Sequence, residues 1–171
     1  KPNICGLIGD SVPHSMSPAM QNAAFRKLTL DYVYIPFRVK SEDVGTAIAG
    51  MRSLNIRGLN VTIPHKMAVI PFLDQVDDLA TKIGAVNTIV NEAGILTGYN
   101  TDASGFLRPL AAKGFEPGGK RVLVIGAGGA ARAVTFALMD SGAILTILNR
   151  TVERALELAA QLSLHFHGKG D

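Results

Sequence analysis

The chain has 171 residues, 47% hydrophobic and 18% charged, which describes one or two small folded domains and argues against a disordered chain. No apolar run reaches the roughly 18 residues of a membrane span, no secretory signal layout opens the chain, and one cysteine, Cys5, excludes an internal disulfide framework and fits a reducing cytoplasm. The net charge of +3 comes without a Lys/Arg run or basic–aromatic alternation, so anionic small ligands suit it better than nucleic acid, and no His/Cys spacing suits a metal.

Taken in chain order, residues 4–8 read as a strand, with Cys5 a buried, inert thiol. A helix over 18–28 follows, with Ser17 as N-cap and Pro18 at its first position. Residues 32–37 form the next strand and 41–54 the next helix, capped by Ser41. Residues 56–61 give a third strand, which Pro64 stops because it lacks an N–H donor. The pattern over 68–83 predicts a broken helix interrupted at Pro71. Residues 88–91 and 95–98 flank Glu92-Ala93-Gly94, a hairpin signal. Such alternation predicts an α/β fold, its first sheet mostly parallel with one antiparallel element. A domain boundary falls near residues 100–104, giving domains over 1–102 and 103–171. Thr101 or Asp102 caps a helix running to Lys113, and Gly114 ends it.

The second domain opens on RVLVIGAGGAARAV, residues 121–134. Val122–Ile125 is read as a strand apolar on both faces, running into a glycine turn and an alanine-rich helix. Gly126, Gly128 and Gly129 permit a tight turn and close approach of a pyrophosphate to the helix N-terminus. A further apolar run, 144–148, ends in Asn149-Arg150-Thr151, where a dinucleotide fold reads the ribose 2′ position. An acidic residue there bonds a 2′-hydroxyl, whereas arginine suits a 2′-phosphate, so the pattern points to NADP. Arg150 and Arg154, four apart, read either as a phosphate clamp or as solvated charges at a helix start. Alternation over residues 162–167 permits a weak third strand, so this Rossmann-type domain is expected to be partial, lacking on the order of 90 residues at ~30 per βαβ unit. The expectation is a fragment of a longer enzyme.

Polar residues gather at the ends of the apolar strands of the first domain: Ser15 and Ser17; Asn60, Thr62 and Lys66; Asn87 and Thr88; and Asn100, Thr101 and Asp102. Ligands of open α/β sheets sit outside the carboxyl ends of the strands. Neutral hydrogen-bonding groups around one lysine and one aspartate suit a small polyhydroxylated carboxylic acid, with the serine pair matching its carboxylate. Each residue also has a plainer reading. Ser17 and Asp102 suit helix caps, Asn60, Thr62 and Asn87 suit turns, and Lys66 suits an exposed surface. His14 and His65 suit loop surface or hydrogen-bond scaffolding, and Tyr99 suits packing.

Together, HSMSP at 14–18, GLNVTIPHK at 58–66, GAVNT at 84–88, GYNTD at 98–102, GAGGAA at 126–131 and NRT at 149–151 occur in an order that closely resembles shikimate dehydrogenase, over residues 4 to at least 154. The resemblance implies reversible, NADP-dependent reduction of 3-dehydroshikimate to shikimate, in the aromatic amino-acid and chorismate pathway. It implies that Ser15 and Ser17 hold the substrate carboxylate, and that Thr62, Asn87 and Asp102, with Asn60 beside them, contact ring hydroxyls. Lys66 and Asp102 form the catalytic pair. Gly126, Ala127, Gly128, Gly129 and Ala130, with Asn149, Arg150, Thr151 and Arg154, bind NADP. Gln21 departs from the histidine of many relatives, and the Gln and Tyr of the family's final helices have no counterpart here.

Hydride transfer to a ketone leaves negative charge on oxygen, where a lysine ammonium supplies both proton and field. Lys66 is therefore expected to be the general acid/base, oriented by Asp102. A quinate/shikimate dehydrogenase, often using NAD, and a ligand-binding module without turnover remain the alternatives. The partners expected are the small-molecule substrate and neither nucleic acid nor membrane, in a cytoplasmic monomer or homodimer without a metal.

Overall fold

A computed structural model describes residues 2–166, and its contacts divide the chain into two compact units. The first comprises the chain up to Thr81 together with Val86–Tyr99, and the second Lys82–Ala85 together with the chain from Asn100 onward.

The first unit is a sheet ordered β2-β1-β3-β5-β6-β4, made of β1 (Asn3–Gly9), β2 (Tyr32–Arg38), β3 (Gly58–Val61), β4 (Gln75–Val76), β5 (Thr88–Glu92) and β6 (Ile95–Tyr99). Strand β1 pairs in parallel with β2 and β3, and β4 with β6, while β5 runs antiparallel to both neighbours, so it is the single opposed strand. Side chains alternate across the pleat. Leu59, Val61, Ile89 and Leu96 thus enter one core with Ile48 and Met51 of α2 (Val44–Ser53), at 0–3% exposure. Each such burial contributes roughly 1.5–3 kcal/mol. On the opposite face Leu7, Val12 and Tyr34 pack with Cys5 and with Phe25 of α1 (Ser17–Lys27). Asn60, between Leu59 and Val61, belongs to that second face. The β5–β6 hairpin turns through Ala93 and Gly94, both at positive φ.

Three local expectations for this unit are corrected. Met16, not Ser17, occupies the N-cap of α1, and no side chain caps it. Ser41 lies in a 3-10 turn, Ser41–Asp43, and α2 starts at Val44 without a side-chain cap. Residues 68–83 are not one broken helix but a 3-10 turn (Ile70–Phe72), β4 and α3 (Asp78–Ile83). There the Asp74 carboxylate accepts the Leu96 N–H at 2.7 Å and pairs with Arg52, drawing the segment alongside β6.

In the second unit α4 (Asp102–Ala112) precedes β7 (Arg121–Ile125), α5 (Gly129–Asp140), β8 (Ile144–Leu148) and α6 (Val152–Phe166). Strands β7 and β8 pair in parallel, as the opening strands of a nucleotide fold do. Two expectations change here. Strand β7 is not covered on both faces: Leu123 and Ile125 are 56% and 76% exposed while Val124 between them is buried, so among the described residues the face that carries Leu123 and Ile125 lacks a covering layer. The proposed strand over 162–167 is the end of α6, where Leu158 and Leu162, four apart, are buried on one helical face. His167 lies outside the described residues.

Candidate active site

The loops that leave β1 and β3 are knitted together at the carboxyl ends of those strands. The Thr62 N–H donates to the Ile8 carbonyl at 2.9 Å and the Asp10 N–H to the Ile63 carbonyl at 3.3 Å. Any side chain at Gly9 would collide with the Thr62 methyl group, so a glycine there lets the two loops meet. Ser15 Oγ accepts the Ser17 N–H at 3.2 Å, which ties both serines into one turn at the start of α1. Both are half-buried, whereas His14 is exposed.

Lys66 is pinned through its neighbours. His65 is fully buried, with Nε2 2.7 Å from the Val39 carbonyl. A carbonyl only accepts, so Nε2 carries the proton, and Nδ1 is left buried without a partner. The Lys66 carbonyl accepts the Val86 N–H at 2.7 Å, and the next residue, Asn87, donates its N–H to the Tyr99 carbonyl and accepts the Val61 N–H at 2.8 Å. Main-chain bonds thus bring Thr62, Lys66 and Asn87 to the same end of the first unit. His65 is scaffolding here, one of the two roles its sequence position allowed.

Asn60 is engaged at both ends of its amide. Its Oδ1 accepts the Tyr34 hydroxyl at 2.7 Å, and its Nδ2 faces Thr88 Oγ1 at 3.2 Å and the Asn87 carbonyl at 3.5 Å. The Thr88 hydroxyl donates to Asn87 Oδ1 at 3.0 Å. Burial, seconded by nearby Cys5, pushes the Tyr34 phenol up to about 12. Burial also raises the Cys5 thiol above its ordinary value, against opposing effects of Gly58 and Arg57, which fits an unreactive side chain.

Asp102 opens α4 in the second unit, where the helix dipole favours a carboxylate. Thr101 occupies the N-cap position, one of the two alternatives expected, but its side chain makes no capping hydrogen bond. The side chain of Asn100 does. Its Oδ1 accepts the N–H of Asp102 at 3.0 Å and of Ala103 at 3.4 Å, while Nδ2 donates to the Ala85 carbonyl at 2.8 Å. The residue is only 5% exposed. An asparagine two residues before an acidic helix start is an Asx-turn signal, and it was the clue available in the chain.

A cleft of about 510 Å³ opens at the carboxyl ends of β7 and β8, lined by Ile125, Gly126, Leu148, Asn149 and Arg150. Gly126 has φ +120, a backbone state that other residues rarely adopt. A Cβ on Gly128 would enter open space, and no side chain caps the α5 N-terminus that Gly128 and Gly129 begin. Open space beside uncapped N–H groups fits a pyrophosphate. Ala127 is buried and faces the unit's interior, while Ala130 is exposed. The Asn149 amide donates to the Thr151 carbonyl at 2.7 Å, and Arg150 and Arg154 are both exposed. Sequence reasoning passed over Arg132 in α5, which is 4% exposed, donates to Gln161 Oε1 and keeps a buried, unpartnered Nε. Burial lowers its pKa against the opposing charge of Glu157. Among the described residues no cluster of His, Cys, Asp and Glu is arranged to hold a metal, and no helix is long and apolar enough to cross a membrane.

Two family models match: the shikimate dehydrogenase substrate-binding domain over residues 7–89, and shikimate/quinate 5-dehydrogenase over residues 109–167. A shikimate dehydrogenase (NADP(+)) of Moorella thermoacetica is 56% identical over 161 residues, which are 94% of this chain and 55% of that protein. The crystal structure of shikimate dehydrogenase from Aquifex aeolicus superposes with a TM-score of 0.90 at 46% identity, covering 94% of this chain and 60% of that one. Shikimate 5-dehydrogenase of Thermus thermophilus, in complex with NADP(H) and shikimate, gives a TM-score of 0.86 at 42% identity, covering 94% of this chain and 61% of that one. The chain therefore spans a little over half the length of the relatives it matches.

Proposed function

The chain belongs to the shikimate dehydrogenase family, and on that premise we propose that it carries the substrate site and the first part of the nucleotide site of an NADP-dependent shikimate dehydrogenase. The observation that carries this reading is the set of polar residues held by main-chain bonds where β1 and β3 end: Ser15, Thr62, Lys66 and Asn87. Residues 1–102 form the substrate and catalytic domain in this proposal, and 103–171 a partial NADP-binding domain.

The substrate is 3-dehydroshikimate in one direction and shikimate in the other. Ser15 and Ser17 bind its carboxylate, since hydroxyl and main-chain donors beside a helix start favour an anion. Thr62, Asn87 and Asp102, with Asn60, bond the ring hydroxyls. Gly126 to Ala130 hold the pyrophosphate of NADP, while Asn149, Arg150, Thr151 and Arg154 hold its adenosine 2′-phosphate. NADPH, when bound, supplies the hydride of the reducing direction. Lys66 gives the proton to the carbonyl oxygen as charge develops there, and it takes that proton back in oxidation. Asp102 orients the ammonium and accepts a bond from the neighbouring hydroxyl. The protein is placed in the cytoplasm, as a monomer or homodimer.

The test is steady-state turnover of the complete natural protein with shikimate or quinate, each with NADP or NAD. The expected result is the highest kcat/KM with shikimate and NADP. Preference for quinate with NAD moves the assignment to the quinate branch, and no turnover with either acid refutes it. Calorimetric titration of shikimate into the 171-residue chain separates a binding module from an enzyme.

A further inference from the structure

Four side chains of the first unit form a continuous line of hydrogen bonds from β2 across β3 to the start of β5: Tyr34, Asn60, Thr88 and Asn87. Its direction follows from chemistry. The Asn87 main-chain carbonyl can only accept, so the edge of Asn60 that faces it must be the NH₂ edge. Asn60 Oδ1 then points at Tyr34, whose hydroxyl must donate. Thr88 Oγ1 accepts from Asn60, and its single proton goes to Asn87 Oδ1. The Thr88 hydroxyl thus fixes which edge of the Asn87 carboxamide carries the oxygen.

The origin of the line is rigid. The amide of Asn22 brackets the main chain of Tyr34, donating to its carbonyl and accepting its N–H, both at 2.9 Å. Tyr34 is 5% exposed among Leu7, Val12, Cys5 and Phe25. Asn60 and Thr88 are direct partners in the β3–β5 ladder, so their side chains share a face. A phenol whose ionisation burial holds at about 12 stays a donor across the neutral range.

We propose that Tyr34 and Thr88 are positioning residues, which fix Asn87 as a hydrogen-bond donor toward a ring hydroxyl of the substrate and thereby sharpen selection for that hydroxyl. The proposal rests on the shikimate dehydrogenase reading of the same site. Neither residue touches substrate in this scheme; both act through Asn60 and Asn87.

Two readouts on the complete natural protein test it. The first needs no turnover: the side-chain NH₂ resonances of Asn87 in Thr88→Val, Thr88→Ser and Tyr34→Phe. Valine keeps the branched shape without the hydroxyl, serine keeps the hydroxyl, and phenylalanine keeps the ring. Thr88→Val is expected to move and broaden the Asn87 amide signals, Thr88→Ser to restore them, and Tyr34→Phe to shift them less. The second is kinetic, with shikimate and with analogues that each lack one ring hydroxyl. Thr88→Val should lower kcat/KM for shikimate by about 10- to 100-fold. It should also shrink the penalty for one deoxy analogue and leave KM for NADP unchanged, and serine should restore the shikimate rate and that penalty. Tyr34→Phe should lower kcat/KM for shikimate by about 3- to 10-fold. Unmoved Asn87 resonances in Thr88→Val overturn the proposal, as does a loss that is uniform across substrates and unrescued by serine. A wild-type protein that moves neither shikimate nor quinate sinks the functional reading instead, and the resonances still decide the line of bonds.

Discussion

Replacing Asn100 by alanine removes two unlike bonds at once. The first is the cap: the Asp102 N–H loses its acceptor at 3.0 Å, while the Ala103 N–H, already at 3.4 Å, loses a weak one. Loss of such a cap costs about 0.5–2 kcal/mol. The second is the donor to the Ala85 carbonyl at 2.8 Å, in a residue at 5% exposure. A carbonyl left unpartnered there costs about 1–3 kcal/mol. The two effects share one residue, so the total expected for Asn100→Ala is about 2–4 kcal/mol, a large part of a typical domain stability of roughly 5–15 kcal/mol. Asn100→Ser retains an acceptor for the cap and should recover about half. Urea unfolding reads the global loss as a lower midpoint, and hydrogen exchange at the first-turn amides of α4 reads the local one. If Asn100→Ala unfolds within about 0.5 kcal/mol of wild type, with unchanged exchange at Ala103, then this asparagine neither caps α4 nor anchors the segment before Asn87.

Other outcomes test the chemistry and the electrostatics. Lys66→Ala should depress turnover by about 10²–10⁴ with smaller effects on substrate binding, and near-normal kcat would remove it from the proton-transfer role. Arg150→Glu should reverse the sign of the charge offered to a 2′-phosphate, so the ratio of kcat/KM for NADP to that for NAD should fall by about 10-fold or more; an unchanged ratio would make Arg150 a solvated surface charge. Tyr34 ionises from about 12 in the folded protein against 10.0 for the ordinary phenol. The folded state therefore holds a proton that the unfolded chain releases, so stability should fall as pH rises from about 10 toward 12. Tyr34→Phe should lack that part of the alkaline loss in urea melts across the same range, and identical slopes for the two proteins would refute the buried phenol.

Much of the fold was legible because its signals are local. Apolar alternation and runs located β1, β2, β3, β5 and β6, and the Glu92-Ala93-Gly94 turn located the hairpin with its opposed strand. The glycine turn between β7 and α5 was readable for the same reason: φ +120 at Gly126 is a property of one residue and its neighbours. The polar residues proposed for the site were legible as residue types near strand ends: Thr62 directly follows β3, Asn60 lies within it, and Asn87 directly precedes β5. Where reading failed, the deciding partner lay elsewhere in the chain. Strand β4 has two residues and exists because Asp74 meets Leu96 and Arg52, each 22 positions away. Over residues 162–167 a six-residue alternation is too short to separate period two from a helical i, i+4 pattern, and up to Phe166 the packing of Leu158 and Leu162 in α6 resolved it.

Residue types and their order along the chain were enough to establish the α/β class, the glycine turn and the chemistry on offer: hydroxyls, amides, one ammonium and one carboxylate. Which amide faces which way was decided only by tertiary structure. Asn60 meets Tyr34 across 26 positions and Thr88 across 28, and His65 meets Val39 across 26. The physical reason is that a hydrogen bond is defined by distance and direction between two groups, whereas a sequence pattern constrains one element at a time. A buried carboxamide therefore acquires its donor and acceptor ends from neighbours that the fold brings to it.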